Sequence, residues 1–257
     1  MNRVRKTLFI MVLIAFAVAA VSCNKKDNTP AKENVKLPPE HAKAVEAIKK
    51  SFEESKKATA AKVNGATISM FDLVREMNTI GPEYIKPGEQ KDPKVDEKVR
   101  KEALDRLIYR ELAVQEAIRQ GIQAPPQNID QEIAKMKADL KTEDAYRQKL
   151  SSAGITEAEL KKQIERSILV EMITEREIFD KVKVDPNQVR KTYEREKASY
   201  RGPSGQMTFE EARPRIEEKL MTPLVQKRED EWVAHLKKAA RIEIAPAQAA
   251  KEIHSIN

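Results

Sequence analysis

The sequence predicts a mostly α protein built from several helices, with one small antiparallel β-sheet joining the two ends of its body. Three observations predict it. Glycine occurs only 7 times in 257 residues, and none falls inside a clearly periodic stretch, so helices run unbroken between short interruptions. Apolar residues recur at helical spacing through most of residues 69–240. Strand patterns are short, chiefly around Asn64-Gly65 and again at Arg241 to Ile244.

Residues 1–22 stand apart from this body. Arg3, Arg5 and Lys6 precede an uncharged apolar run from Leu8 to Val21. The run is shorter than the ~20 residues of a membrane span and suits the core of an export signal. Small residues lead into Ser22 and Cys23, the single cysteine of the chain. This junction resembles the lipobox of bacterial lipoproteins, although Ala20 stands where that pattern often has Leu. The resemblance implies lipidation of Cys23 and an exported, periplasm-facing, membrane-anchored protein. Asn24 is not the Asp that the family's sorting rules tie to the inner membrane, so the outer membrane is expected. The alternative is a free or buried cysteine in an ordinary secreted protein.

Residues 23–40 carry three prolines and no periodicity, the pattern of a flexible tether. An amphipathic helix is expected over 41–60, with Ala44, Val45, Ile48 and Phe52 as its apolar stripe. That stripe fits packing on the body; it also fits a partner or membrane-surface contact.

The body follows in order. Lys62 to Ile68 reads as two short strands about Asn64-Gly65, which accepts the positive φ angles of a tight hairpin. Ser69 caps a helix, with Asp72 three residues on. Gly81 to Pro93 is a loop. Lys94 to Gln120 is a long amphipathic helix stopped by Gly121, and Asn128 is positioned to cap the next. Thr142 opens a short helix through Leu150. Thr156 with Glu159 forms a capping box before a helix reaching Phe179. Val182 to Val184 has the alternation of a short strand. Asp185-Pro186 starts a helix to about Tyr200. Thr208 with Glu211 caps the last helix, which reaches about Ala240 and holds Pro214 and Pro223, sites of expected kinks. Arg241 to Ile244 is a strand whose natural partner is the strand at Val63.

Composition narrows the function. Charged residues make up 35% of the chain and aromatics 5%. Mean hydropathy is −0.63. The formal charge of +7 falls to +4 once the three basic residues of 1–22 are set aside. Acidic and basic residues are interleaved, as in Lys161-Lys162-Gln163-Ile164-Glu165-Arg166, without the one-sided basic stripe of a nucleic-acid binder. Three scattered histidines and one cysteine offer no metal site, and no glycine-rich phosphate loop or nucleophile motif occurs; no cofactor is expected. Acidic pairs such as Glu53-Glu54 and Glu217-Glu218 read as solvated helix faces.

The order of parts resembles the N-terminal chaperone domain of SurA/PrsA-type foldases. The resemblance rests on Val63-Asn64-Gly65, Ile68-Ser69, Ala103 to Ile108, Gly154-Ile155, Glu159-Leu160, the Ile164 to Phe179 helix and Val184-Asp185. Phe209 to Ala212, Ile216 to Leu220, Trp232 and the Arg241 to Ile244 strand extend it. It implies a chaperone core over 61–200, completed by the helix and strand of 209–244 and followed by a 245–257 tail. In many members a parvulin prolyl-isomerase domain lies between those two parts. Here only 201–208 intervenes, far below the ~50 residues a domain needs, and no histidine occurs between His41 and His235.

The expectation is therefore a chaperone that binds unfolded exported or outer-membrane polypeptides through an apolar crevice, without isomerase activity. Met70, Phe71, Met77, Tyr84, Tyr109 and Met172 are the expected crevice residues, methionine being adaptable enough for a non-selective surface. The competing reading of each methionine is a gap-filler in the core. A true isomerase with its chemistry elsewhere in the chain, and an adaptor lipoprotein with one folded partner, are the alternatives.

Overall fold

A computed structural model of the protein describes Glu46 and residues 50–84, 92–203 and 205–246. Residues 1–40 with Cys23, most of the 41–49 stripe and 247–257 of the tail lie outside the described residues. The chain gathers into two compact units. One takes in the described residues up to Ile108 and those from Arg241 onward; the other is Tyr109–Ala240.

The first unit is organised around a hairpin. Helix α1, described over 50–57, leads into β1 (Thr59–Val63), which pairs antiparallel with β2 (Ala66–Ser69). Asn64 and Gly65 turn the chain with φ of 52° and 87°, the left-handed values that the Asn-Gly pair anticipates. Ser69 then caps α2 (Met70–Ile80): its Oγ accepts the Asp72 amide at 3.1 Å and its hydroxyl donates to Asp72 Oδ2 at 2.6 Å. Met70, Leu73 and Ile80 point this helix into the core, each no more than 1% exposed.

The third strand comes from the far end of the chain. β5 (Ile242–Ile244) pairs antiparallel with β1 in the register Ala61–Ile244, Lys62–Glu243, Val63–Ile242. The sheet order is β2-β1-β5. Asn64 secures the junction twice: its amide donates to the Arg241 carbonyl at 2.9 Å, and its Oδ1 accepts the Arg241 amide at 2.8 Å.

Helix α3 (Pro93–Arg119) runs from the first unit into the second. Gly121, at φ +72°, ends it, and the Ile122 amide folds back to the Ala117 carbonyl at 2.9 Å. The second unit continues with α4 (Pro126–Leu140), α5 (Glu143–Ser152), α6 (Glu157–Glu177), α7 (Pro186–Glu196) and α8 (Phe209–Ala239). Thr142 caps α5; Thr156–Glu159 and Thr208–Glu211 form complete capping boxes on α6 and α8.

Three local expectations change. Asn128 does not cap α4: the helix starts at Pro126, where no backbone N–H is needed, and Asn128 already bonds its amide to the Pro125 carbonyl. Val182 to Val184 is not a strand, because among the described residues no strand pairs with it; it is a lead into the Asp185 cap. The 201–208 connection is not a bare loop, since Arg201–Gly202 (β3) pairs with Gly205–Gln206 (β4). Helix α8 stays continuous across Pro214 and Pro223, both at exposed positions where a carbonyl lacking its helical donor is best tolerated.

Two variants test this construction. Asn64→Ala removes the acceptor of the Arg241 amide and puts into left-handed backbone a residue without asparagine's tolerance of it; thermal or urea unfolding should show a loss of about 1–2 kcal/mol. Tyr146 is 0% exposed on α5, with the Lys137 ammonium 4.5 Å from its ring centre and its hydroxyl unpartnered among the described residues. Tyr146→Phe deletes a buried unpaired group without changing shape, so it should stabilise by about 1 kcal/mol in the same measurement.

Candidate functional site

The residues expected to line one crevice fall in both compact units. Met70, Phe71, Met77 and Tyr84 belong to the first, Tyr109 and Met172 to the second. Met70 is a core side chain, 1% exposed, and offers no surface; its helix turns it inward with Leu73 and Ile80. Met77 is half-buried on α2, and Met172 is exposed on α6.

Phe71 is half-buried and anchors an aromatic and cationic cluster. Its ring lies 5.7 Å from that of Phe52, tilted by 58°, and Phe52 is 40% exposed. Lys56 Nζ sits 5.5 Å from the Phe71 ring centre and the Arg75 guanidinium 5.8 Å. The cations keep an apolar surface soluble while covering part of it. The amphipathic stripe identified Phe52 as apolar; its pairing with Phe71 required the β1–β2 turn that folds α2 back.

Tyr84 is half-buried, with Lys98 Nζ 5.0 Å from its ring centre. Partial burial and the neighbouring Glu102 carboxylate raise its hydroxyl pKa. Tyr109 packs edge-on to Trp232 at 6.1 Å, and its hydroxyl meets that of Thr174 at 3.3 Å. Burial pushes its pKa up to about 12. With both ring and hydroxyl engaged inside its own unit, Tyr109 acts mainly as a brace between α3, α6 and α8.

Two surface hollows belong to the second unit. One, of about 430 Å³, lies between α4 and α6 over Pro126, Ile129 and Ala158, with Lys161, Lys162, Asp130 and Glu165 at its rim. The other, of about 230 Å³, has Val182 and the partly exposed Leu224 at its base and Lys181, Lys183, Lys227, Arg228 and Glu231 around it. Neither was legible as a site, because each needs residues from two elements distant in sequence.

The ionisable groups are tied into structural clamps. Glu111 is 9% exposed and pairs with Arg166, joining α3 to α6, while Gln115 donates to it at 2.7 Å. Burial works to raise the Glu177 pKa, but Lys181, Gln120 and Arg228 overcome it and hold the carboxyl below its ordinary value. Arg228 also donates to the Glu177 carbonyl at 2.9 Å. Hydrogen bonds from Lys219, Arg195 and Tyr200 lower Glu196 to about 2. Among the described residues no group of three His, Cys, Asp or Glu side chains is placed to hold a metal ion. None of the described helices is long and apolar enough to cross a membrane.

The connection between α7 and α8 is fastened by main-chain and tyrosine hydrogen bonds. The Met207 amide donates to the Tyr200 carbonyl at 3.0 Å, and the Tyr193 hydroxyl donates to the Met207 carbonyl at 2.7 Å. Tyr193, Tyr200, Val189, Ala212 and Ile216 form a buried cluster beneath it, with Phe209 and Met207 packed against them. Lys219 on α8 reaches Glu196 on α7 at 2.6 Å.

Sequence comparison places residues 44–174, about half of the chain, in the family described as SurA-like N-terminal domain. The chain belongs to this SurA-like family. The matched region takes in the hairpin, α2 to α5 and α6 as far as Thr174. A solved structure is also similar, from work on the virulence factor PEB4 and the periplasmic protein Cj1289, two structurally related SurA-like chaperones of Campylobacter jejuni. It has a TM-score of 0.46 and 14% sequence identity, spanning 74% of this chain and 100% of that one. No curated protein matches the chain. The rest of α6, α7, α8 and β5 lie beyond the SurA-like match, so the return of β5 to β1 is read from the structure.

Tyr109 gives this unit a pH signature. The folded chain keeps its phenolic proton between pH 10.0 and about 12, where an unfolded tyrosine loses it. Its contribution to stability is complete below pH 10.0 and disappears as pH rises to about 12. Tyr109→Phe should therefore flatten the alkaline fall of the melting temperature, at a cost of about 1 kcal/mol near neutrality from the lost Thr174 hydrogen bond.

Proposed function

We propose that this chain is a lipid-anchored extracytoplasmic chaperone that holds unfolded exported polypeptides and does not isomerise prolyl bonds. Membership of the SurA-like family supports the chaperone role. The observation that carries the finer reading is the α7–α8 connection. Where related foldases place a parvulin domain, this chain has β3 and β4 paired across a few residues and fastened by Tyr193 and Tyr200. The 61–200 core is then completed directly by 209–244.

The anchoring half of the proposal rests on the sequence. An export-type segment over 1–22 ends at Cys23, and 23–40 supplies a tether. About 17 flexible residues span roughly 20–25 Å, enough to hold the body beside the membrane where exported chains emerge. The outer membrane is the proposed site, on the strength of Asn24. Phe71, Met77, Tyr84 and Met172, with Phe52 added to them, are the proposed client contacts, because each leaves apolar surface open; Met70, which is buried, and Tyr109, whose ring and hydroxyl are engaged by Trp232 and Thr174, are withdrawn from that set.

Aggregation of a chemically unfolded outer-membrane-type protein provides the test. The chain should suppress it near stoichiometric ratios while leaving the cis–trans rate of a prolyl peptide unchanged in the same sample. Phe71→Ser should weaken suppression about tenfold, a loss of about 1.4 kcal/mol in client affinity, with the melting temperature retained. Prolyl turnover above background would refute the non-catalytic reading. Absence of suppression at large excess would refute the chaperone reading.

A further inference from the structure

Among the described residues the outer edge of β5 is open, and its register defines what it can accept. In an antiparallel ladder, residues alternate between bonding one neighbour and bonding the other. On the β1–β5 side, the Ala245 amide donates to the Ala60 carbonyl at 3.0 Å and the Asn64 amide to the Arg241 carbonyl at 2.9 Å. By alternation, Lys62 and Glu243 form the bonded pair between them. Ile242 and Ile244 therefore turn their N–H and C=O groups away from β1. Among the described residues no strand pairs with this edge.

The opposite edge of the sheet is less suited to a partner. Ala66 and Ile68 of β2 face β1, which leaves Thr67 facing outward before the register shift near Thr59 and the turn into α2. The β5 edge carries two outward residues instead, Ile242 and Ile244, on either side of Glu243. Its side chains are also sorted. Ile242 and Ile244 share the sheet face of the fully buried Ala61 and Val63, and Ile244 is 57% exposed at the rim. Glu243, with Lys62 opposite it and Arg241 at 2.7 Å, occupies the other face. A strand laid against β5 would place apolar side chains beside the isoleucines and polar or charged ones beside the Glu243 and Arg241 pair. It would also continue the ladder that already joins β1 to β5.

We infer that β5 accepts an extended segment of an unfolded client as a fourth strand, in the order β2-β1-β5-client, and selects alternating apolar and polar sequence. This inference rests on the proposed chaperone reading and adds the manner in which part of a client is held. Main-chain bonding is indifferent to most side chains, and a three-residue edge bounded by Pro246 offers few bonds. Both features suit weak, broad and reversible capture.

The test uses the full chain, isotope-labelled, with an acetylated and amidated peptide of alternating threonine and valine between lysine ends. Amide hydrogen exchange at Ile242 and Ile244 should slow about tenfold at saturation, while Glu243, already bonded to β1, should not change. Ile244→Pro removes one outward N–H and leaves the Ala245 bond to Ala60; peptide affinity should fall about tenfold with the melting temperature kept. Peptide binding with unchanged exchange at both isoleucines would overturn the inference. So would protection present without peptide and rising with protein concentration, which would assign the edge to a second copy of the chain. Failure of the peptide to bind, with aggregation suppression intact, would overturn strand addition and leave the chaperone reading standing. Loss of suppression in the unaltered chain would instead remove that reading itself.

Discussion

The fold depends on β1 being paired along both edges. Ala61 and Val63 turn their backbone groups to β2, and Lys62 turns to β5. Asn64 carries the most demanding position in this arrangement. It adopts left-handed backbone for the hairpin and at the same time clasps Arg241, 177 residues away, through both its amide and its side-chain oxygen. Asparagine is suited to both tasks: its short amide tolerates positive φ and supplies an acceptor at the turn. Without the clasp, β5 would be a three-residue strand of the kind that does not persist alone in water.

The charge distribution follows from the same economy of surface. A chain with 35% charged residues cannot leave its acids and bases unplaced on narrow helices. Glu111, Glu177 and Glu196 are each met by cations from another helix or an adjoining turn, which turns potential acid–base groups into fasteners. The lowered carboxyls of Glu177 and Glu196 stay ionised, so these two are poor proton donors near neutrality. The half-buried aromatics are shielded in a parallel way, by Lys56 and Arg75 at Phe71 and by Lys98 at Tyr84.

Local chemistry made most of the fold legible. Ser69, Thr142, Thr156, Asp185 and Thr208 all serve as caps, because capping needs only a side-chain oxygen and an amide two or three residues on. The β1–β5 pairing was legible for a different reason: a lone terminal strand would be poorly stable, and the hairpin at Val63 was its natural partner. Asn128 misled because Pro126 is a competing start signal with an intrinsic φ suited to the first turn. Val182 to Val184 misled because alternation describes an extended chain, paired or not. The candidate surface was less legible. Met70 and Met77 lie on one helix and look alike in sequence, but only the packing of α2 on the sheet determines that the first is buried and the second half-exposed. The edge of β5 needed the ladder register, which no sequence pattern contains.

The most direct test of the central claim is a binding titration of the full chain against one polypeptide held in two states, unfolded and natively folded, followed by fluorescence anisotropy. Binding to the unfolded state at about micromolar affinity, with none to the folded state, is the result the proposed chaperone reading predicts. Equal affinity for both states, or tight binding to the folded state alone, would contradict it and define the chain as an adaptor for a folded partner.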